Sequence, residues 1–342
     1  MIKRTKENFF EKITIKDHKT VYAYEQRIQK WEKFLIHQGE KIDYIPKTKE
    51  DSIDIFQLFV NWLSKDLSAN TVWNYASSIR KFLFYLGAPL TRDDIQEYVE
   101  LPRKMKKELH GLNIEEIQRI LDSLCYDNKV LFLCQLSSGM RIGELVQLQK
   151  KHLNLETERI MVKIQPHMAK FKKGRTTFFS KEAGNLLRVI LKRKEENDLI
   201  FGTSKDVRIS ESNKGESLRR VLKNVGLDQK YDDTGNFQIN THSFRAYFIT
   251  KISRHDANLA KFFSGQEGYL LQYDRMTDEE KLENYMEFEK DLLVYDLVKK
   301  DEEIKKLRMT ATKISELEQK LVDSDKKIAL LQELMTRSKR IA

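Results

Sequence analysis

The chain has 342 residues, with 62 Lys+Arg against 52 Asp+Glu for a formal charge of +10, and is 40% hydrophobic and 33% charged. Only 4 Pro and 13 Gly accompany 18 Phe, 13 Tyr and 3 Trp, which excludes a collagenous or disordered chain and points to a helix-rich protein of about two domains with real cores. The longest uncharged apolar stretch, Val130–Met140, falls well short of the roughly 18 residues of a membrane span, Met1–Phe10 lacks a signal-peptide apolar region, and Cys125 and Cys134 make no disulfide or zinc framework, so a reduced cytoplasmic compartment is expected.

In chain order, Val21, Tyr24, Ile28, Trp31 and Leu35 recur at three- and four-residue steps and predict a helix over 17–38. A second helix is predicted over 51–64, with Ile55, Phe56, Phe59, Trp62 and Leu63 on one side. A third starts at Ser68-Ala69-Asn70-Thr71 and runs to Leu86, where Gly87 and Pro89 stop it. No acid stands between Asp66 and Asp93, so Asn74, Ser77, Ser78, Arg80 and Lys81 form a candidate phosphate-facing surface. A short fourth helix over 91–99 completes an all-helical unit. The stretch from Leu101 to Glu108, with Arg103, Lys104, Lys106 and Lys107, reads as an exposed basic linker suited to a nucleic-acid backbone.

Asn113 with Glu116 opens the next domain in a capping-box pattern, and Ile114, Ile117, Ile120, Leu121 and Leu124 form the buried stripe that follows. Val130–Leu136 reads as a buried helix ending at Ser137-Ser138-Gly139. Arg159–Ile164 and Thr176–Phe179 read as a hairpin joined by the basic loop Gln165–Arg175. Helices are predicted near 181–194, 215–224 and 243–253, and Thr277 with Glu280 begins another. Beyond Asp296, Leu307, Ile314, Leu321, Ile328 and Met335 recur every seven residues, with Leu317 and Leu331 at the second apolar position. That tail reads as a self-association or partner helix, or as an amphipathic helix lying on its own body.

No phosphate loop, dinucleotide fingerprint or zinc spacing is present, and His110, His152, His167, His242 and His255 are scattered. Three separated elements stand out instead. Arg141 in Ser-Gly-Met-Arg-Ile-Gly-Glu-Leu has Glu144 one turn on. His242 and Arg245 lie three apart in Thr-His-Ser-Phe-Arg. Ser264-Gly265-Gln266 is followed by Tyr269, Tyr273 and Tyr285. Two arginines are permanently charged forks suited to the non-bridging oxygens of a phosphodiester, where charge builds up during transfer.

In this order and spacing the chain resembles the tyrosine recombinases, the phage-integrase family, and among them the archaeal-type integrases, over most of residues 17–285. The resemblance implies a mainly α fold with a small β-sheet. Its parts are an all-helical core-binding domain (1–100), the basic linker (101–112), an α+β catalytic domain (113–297) and a C-terminal coiled-coil-like helix (298–342). It implies a site-specific recombinase that breaks and rejoins DNA through a 3′-phosphotyrosyl bond, in integration, excision or dimer resolution. The partners implied are duplex DNA carrying a recombination site and a tetramer of protomers, with no metal, nucleotide or membrane. Arg141, Arg245 and His242 take the phosphate-site positions.

The family's lysine-glycine-x-lysine-x-arginine pattern, counted back from Arg175, selects Lys170 as proton donor to the leaving oxygen, with Lys172 as runner-up; Lys172, Lys173 and Arg175 are expected as DNA contacts. Glu144 positions its neighbours. Gln266 stands where the family has histidine or tryptophan, and Arg275 stands where the tyrosine usually follows. Tyr273, just ahead of the Thr277 cap, is the preferred nucleophile and Tyr285 the runner-up. The rival readings are a silent DNA-binding or architectural protein with the same fold, and a coiled-coil scaffold.

Overall fold

The computed structural model describes residues 4–14, 18–104, 108–232, 234–266 and 275–295, with isolated positions between Thr310 and Ser324. The chain divides into two compact units, Met1–Leu109 with Lys230–Asn236, and His110–Gln229 with Phe237–Ala342.

The first unit is a bundle of α1 (Lys6–Thr14), α2 (His18–His37), α3 (Lys49–Ser64), α4 (Ala69–Leu86) and α5 (Arg92–Tyr98). Four helices were expected; α1 is the addition. It is too short to show a periodic stripe, but Phe9 and Ile13 bury it, and the Phe9 ring meets those of Phe82 at 5.2 Å and Tyr24 at 5.5 Å. The centre is aromatic. Trp31, Phe34, Phe56 and Phe59 are fully buried, and Trp31 meets Phe59 edge-on at 4.9 Å, a geometry that aligns ring edges with ring faces. Gly87, at φ 104°, ends α4 by turning its N–H back to Leu83 and Phe84. Thr91 and Asp94 cap α5 reciprocally, and Asp94 also binds Lys49 of α3 at 2.7 Å.

The second unit opens with α6 (Ile114–Asp122), where Asn113 accepts from the Glu116 N–H at 2.8 Å and Glu116 from the Asn113 N–H at 3.0 Å. Next come α7 (Tyr126–Ser138), buried along nearly its whole length, and the single turn α8 (Ile142–Leu145). Strands β1 (Leu153–Asn154), β2 (Met161–Ile164) and β3 (Arg175–Phe178) form an antiparallel sheet in that order, with Ile164 opposite Arg175. The expected hairpin is thus widened by a strand, β1, and Arg175 lies in β3 instead of in the loop. Helices α9 (Lys181–Leu191), α10 (Val207–Asn224), α11 (Thr241–Ser253), α12 (Ala257–Ser264) and α13 (Asp278–Glu289) complete the unit.

Helix α10 starts well before the expected residue 215, from Asp206, which accepts from the Arg208 N–H. Gly215 inside it costs about 1 kcal/mol relative to alanine. The flanking anchors offset this: Leu218 is buried, and the buried Lys214 donates to Asn128 at 2.8 Å. Among the described residues no helix is long and apolar enough to cross a membrane. Of the heptad tail, Ile314, Leu317 and Leu321 are described, helical, and more than half exposed; Leu307, Ile328, Leu331 and Met335 lie outside the described residues.

Candidate active site

The site is built on the C-terminus of α7. The last carbonyls of a helix have no partner within it, and here three side chains from three other elements supply them. The Tyr285 hydroxyl of α13 donates to Ser137 at 2.8 Å, the Thr177 hydroxyl of β3 to Ser138 at 2.9 Å, and the Arg245 guanidinium of α11 to Gly139. Gly139 sits at φ 64°, and a Cβ there would run into the Phe248 ring. Only glycine fits. The chain then turns so that Arg141 caps α8 and Glu144 reaches back to the Arg141 N–H at 2.8 Å.

Glu144 is the hub. Its carboxylate is 1% exposed and accepts from Arg141 Nη1 at 3.2 Å and from both Arg175 terminal nitrogens at 2.9 and 2.7 Å. Burial alone would raise its pKa, but the hydrogen bonds and charges of Arg175 and Arg141 outweigh it and hold the group ionised, below its ordinary value. Arg175 is therefore no phosphate contact. Its side chain is 7% exposed, and its Nε also donates to Phe263 at 2.9 Å. The expectation of a DNA-facing Arg175 is corrected: it is the inner brace of the site.

Arg141 keeps 19% exposure and directs Nη2 at the Gly265 carbonyl at 3.4 Å. Gly265 ends α12 at φ 66°, where a Cβ would meet Arg175 Nη1 at 2.7 Å, so glycine is again required. Two left-handed glycines thus offer carbonyls to the two motif arginines.

Arg245 is 5% exposed, and among the described residues no carboxylate stands within ion-pair distance of it. Burial first, then the charge of Arg141, pushes its pKa down to about 9, and it remains a cation at neutral pH. The Glu144 charge opposes this fall without forming an ion pair with Arg245, and a buried cation without a paired carboxylate is costly unless an anion joins it. His242 lies one turn earlier in the first turn of α11, where Asn240 caps its N–H at 2.8 Å. It is solvent-accessible. Partial burial and then the charges of Arg245 and Arg141 hold its pKa below the usual histidine value, with Glu211 opposing and Lys170 adding to the fall. The ring is neutral at pH 7 and able to accept a proton.

Lys170 is exposed on a looped turn in which the Met168 and Lys172 N–H groups bond back to Gln165 and Ala169. Lys172 stands at φ 55°, in the left-handed region, and Lys172 and Lys173 are both exposed. Gln266 is exposed directly after Gly265. Tyr269 and Tyr273 lie outside the described residues.

Tyr285, the runner-up nucleophile, is set aside by its surroundings. It is fully buried against Phe178 and Phe288, each at 5.3 Å, and burial pushes its phenol well above its ordinary pKa. Its hydroxyl is already committed to the Ser137 carbonyl.

In the first unit, Asn74, Ser77 and Arg80 of α4 line a groove of about 690 Å³ together with Trp73, Arg92 and Lys104. The Trp73 indole N–H donates to Pro102 at 2.9 Å, and the Lys104 ammonium lies 4.3 Å from its ring. Ser78 is corrected: it is 3% exposed, accepting from Arg27 at 2.7 Å and donating to Asn74 at 2.9 Å. Lys81 points elsewhere, 5.9 Å from the Tyr24 ring, and Arg103 is exposed outside the groove lining. Lys106 and Lys107 lie outside the described residues. Sequence reasoning passed over Trp73 and Arg92. The signal was faint: both stand in or beside the acid-free stretch with Arg80 and Lys81, but their approach to Lys104 is visible only in the fold.

Comparison with known proteins bears on the family and the fold. Residues 110–262 match the phage integrase family, and residues 7–88 match the phage integrase N-terminal SAM-like domain. Tyrosine recombinase XerA of Saccharolobus solfataricus is 26% identical over 159 residues, which is 46% of this chain and about half, 49%, of that protein. Tyrosine recombinase XerC of Vibrio cholerae is 23% identical over 250 residues, 69% of this chain and 74% of XerC. Among solved structures, a lambda integrase dimer bound to a core site superposes with TM-score 0.56 at 13% identity, covering 80% of this chain and 97% of that one. XerH bound to its difH substrate superposes at 0.54 and 19% identity, covering 81% and 82%. With both of its units matched and the two arginine motifs gathered at one site, the chain belongs to the phage integrase family, the tyrosine recombinases.

Proposed function

We propose that the protein is a site-specific DNA recombinase in which the second unit performs strand cleavage and the first holds the duplex. One observation carries this reading: Arg245, a buried cation that has no carboxylate within ion-pair distance among the described residues, shares its site with Arg141. Among Arg141, Arg175, Arg245 and Glu144 the balance is two positive charges in excess, matched to a phosphoryl group that gains negative charge on its way to the transition state.

In the proposed step the Tyr273 oxygen attacks the scissile phosphorus, and its proton passes to the neutral His242. Arg141 and Arg245 hold the non-bridging oxygens, and Gln266 hydrogen-bonds one of them. The bond to the 5′-oxygen breaks as that oxygen takes a proton from Lys170. The 3′-phosphotyrosyl ester conserves the bond energy, so a 5′-hydroxyl of the partner strand reverses the step and completes the exchange. Asn74, Arg80 and Lys104 along the first unit's groove, and Lys172 and Lys173 beside the site, supply backbone contacts. The DNA-bound state of the lambda integrase and XerH structures supports duplex DNA as the partner. The test is a nicked suicide duplex carrying the recombination site: only the enzyme leaves protein covalently attached on a denaturing gel. A protein that binds the duplex and never yields that adduct would refute the reading.

The tail is assigned to assembly of protomers, four on a recombining pair of sites. Ile314, Leu317 and Leu321 recur at helical steps and are 52, 58 and 66% exposed, so their apolar faces are uncovered in the single chain. Deleting 300–342 is expected to lower the oligomer order on DNA while leaving single-site binding largely intact. An unchanged mass distribution by analytical ultracentrifugation, with and without DNA, would remove this role.

A further inference from the structure

Residues 170–175 read Lys-Phe-Lys-Lys-Gly-Arg, and the one apolar side chain among them, Phe171, is 45% exposed. Burial does not explain it. Its neighbours do: the Arg141 guanidinium carbon lies 5.7 Å from the ring centroid and the Lys170 ammonium 5.8 Å from it. Both are within the range at which an aromatic face attracts a cation.

The two cations differ in how they are held. Arg141 is fixed by Glu144 at 3.2 Å and by the Gly265 carbonyl. Lys170 is an exposed ammonium on a flexible four-carbon stem. A ring that touches both carries the position of the fixed one over to the free one.

We propose that Phe171 is a positioning residue that ties the basic loop to Arg141 and so holds the Lys170 ammonium beside the phosphate that Arg141 binds. The inference rests on the proposed function, in which Lys170 is the proton donor. As the P–O5′ bond breaks, O5′ keeps the electron pair and takes one ammonium proton, leaving Lys170 a neutral amine. Phe171 touches no reacting atom and acts only through Lys170.

Two suicide duplexes test this, one natural and one with sulfur replacing the bridging 5′-oxygen, since a thiolate leaves without a proton. Phe171→Ala is expected to slow adduct formation about tenfold on the oxygen substrate, a fraction of what a general acid contributes, and to match wild type on the sulfur substrate. Phe171→Leu, which keeps apolar volume but not the ring, should behave like the alanine variant. Phe171→Tyr should stay within about twofold of wild type on both. Lys170→Ala should show the same pattern with a larger loss. The residue is exposed, so melting temperatures should not move. Phe171→Ala cleaving the oxygen substrate at the wild-type rate, or both substrates equally slowly, would overturn the inference alone. A wild-type protein that yields no adduct on either substrate would overturn the proposed function, and the inference with it.

Discussion

Arg245→Ala and Arg141→Ala are each expected to slow covalent adduct formation by about two to three orders of magnitude, because one preorganised donor at a developing oxyanion is worth roughly 3–4 kcal/mol. Duplex binding should fall far less, since other phosphate contacts remain. The two variants also separate catalysis from folding. Removing Arg245 takes away a buried cation that has no carboxylate partner among the described residues, while leaving the Gly139 carbonyl without its donor, and these effects on stability oppose one another. Removing Arg141 leaves Glu144 still bound bidentately by Arg175. Arg175→Ala is the contrast. It strips the buried Glu144 of its stronger partner, and breaking such a pair costs about 3–5 kcal/mol, so a marked fall in melting temperature should precede any specific loss of cleavage. Quench-flow of a labelled nicked duplex, with circular dichroism melts of all three variants, checks this. Near-wild-type cleavage by either Arg245→Ala or Arg141→Ala would remove that arginine from the phosphate clamp.

The parts of this site that were legible in the sequence are those whose signal is local. His242 and Arg245 three apart on one helical turn, Arg141 followed by Glu144, and the capping boxes at Asn113 and Thr277 are all patterns of a few residues. What was not legible depends on partners far along the chain. Arg175 reads as one more cation of a basic loop, and only its pairing across 31 positions with Glu144 turns it inward. Ser77 and Ser78 are adjacent and chemically identical, yet one helical step of about 100° puts the first on the groove and the second in the bundle. The carbonyls of Gly139 and Gly265 carry no side-chain signal at all. The extra helix α1 and the two-residue β1 are too short for periodicity to register, and Gly215 hid the first half of α10. Phe171 occupies the glycine position of the family's loop pattern, a departure whose meaning appears only when Arg141 stands beside it.

Tyr273→Phe is expected to abolish the covalent protein–DNA complex while leaving folding and duplex affinity in place, because it removes one oxygen and little volume. No neighbour substitutes for it. In the proposed step a hydroxyl must reach the phosphorus that Arg141 and Arg245 would hold, and the Tyr285 hydroxyl is not free to do so in this conformation. Its hydroxyl is committed to the Ser137 carbonyl at 2.8 Å, inside a core of Phe178, Phe263 and Phe288. Tyr285→Phe should therefore keep the adduct and instead lose stability, by about 1–3 kcal/mol, since the buried Ser137 carbonyl is left without its donor. Opposite readouts at two tyrosines twelve positions apart would thus separate a catalytic from a structural role. Tyr269→Phe, three residues after Gln266, should keep the adduct as well. Peptide mapping of the labelled adduct decides among them. A label on Tyr273 fixes the nucleophile. A label on Tyr285 would require α13 to unwind from Thr277 onward, breaking the cap in which Thr277 accepts from Glu280 at 3.2 Å and Glu280 from Thr277 at 2.7 Å. Such a result would place the active form of this segment in a different conformation from the one in which Tyr285 fills the core.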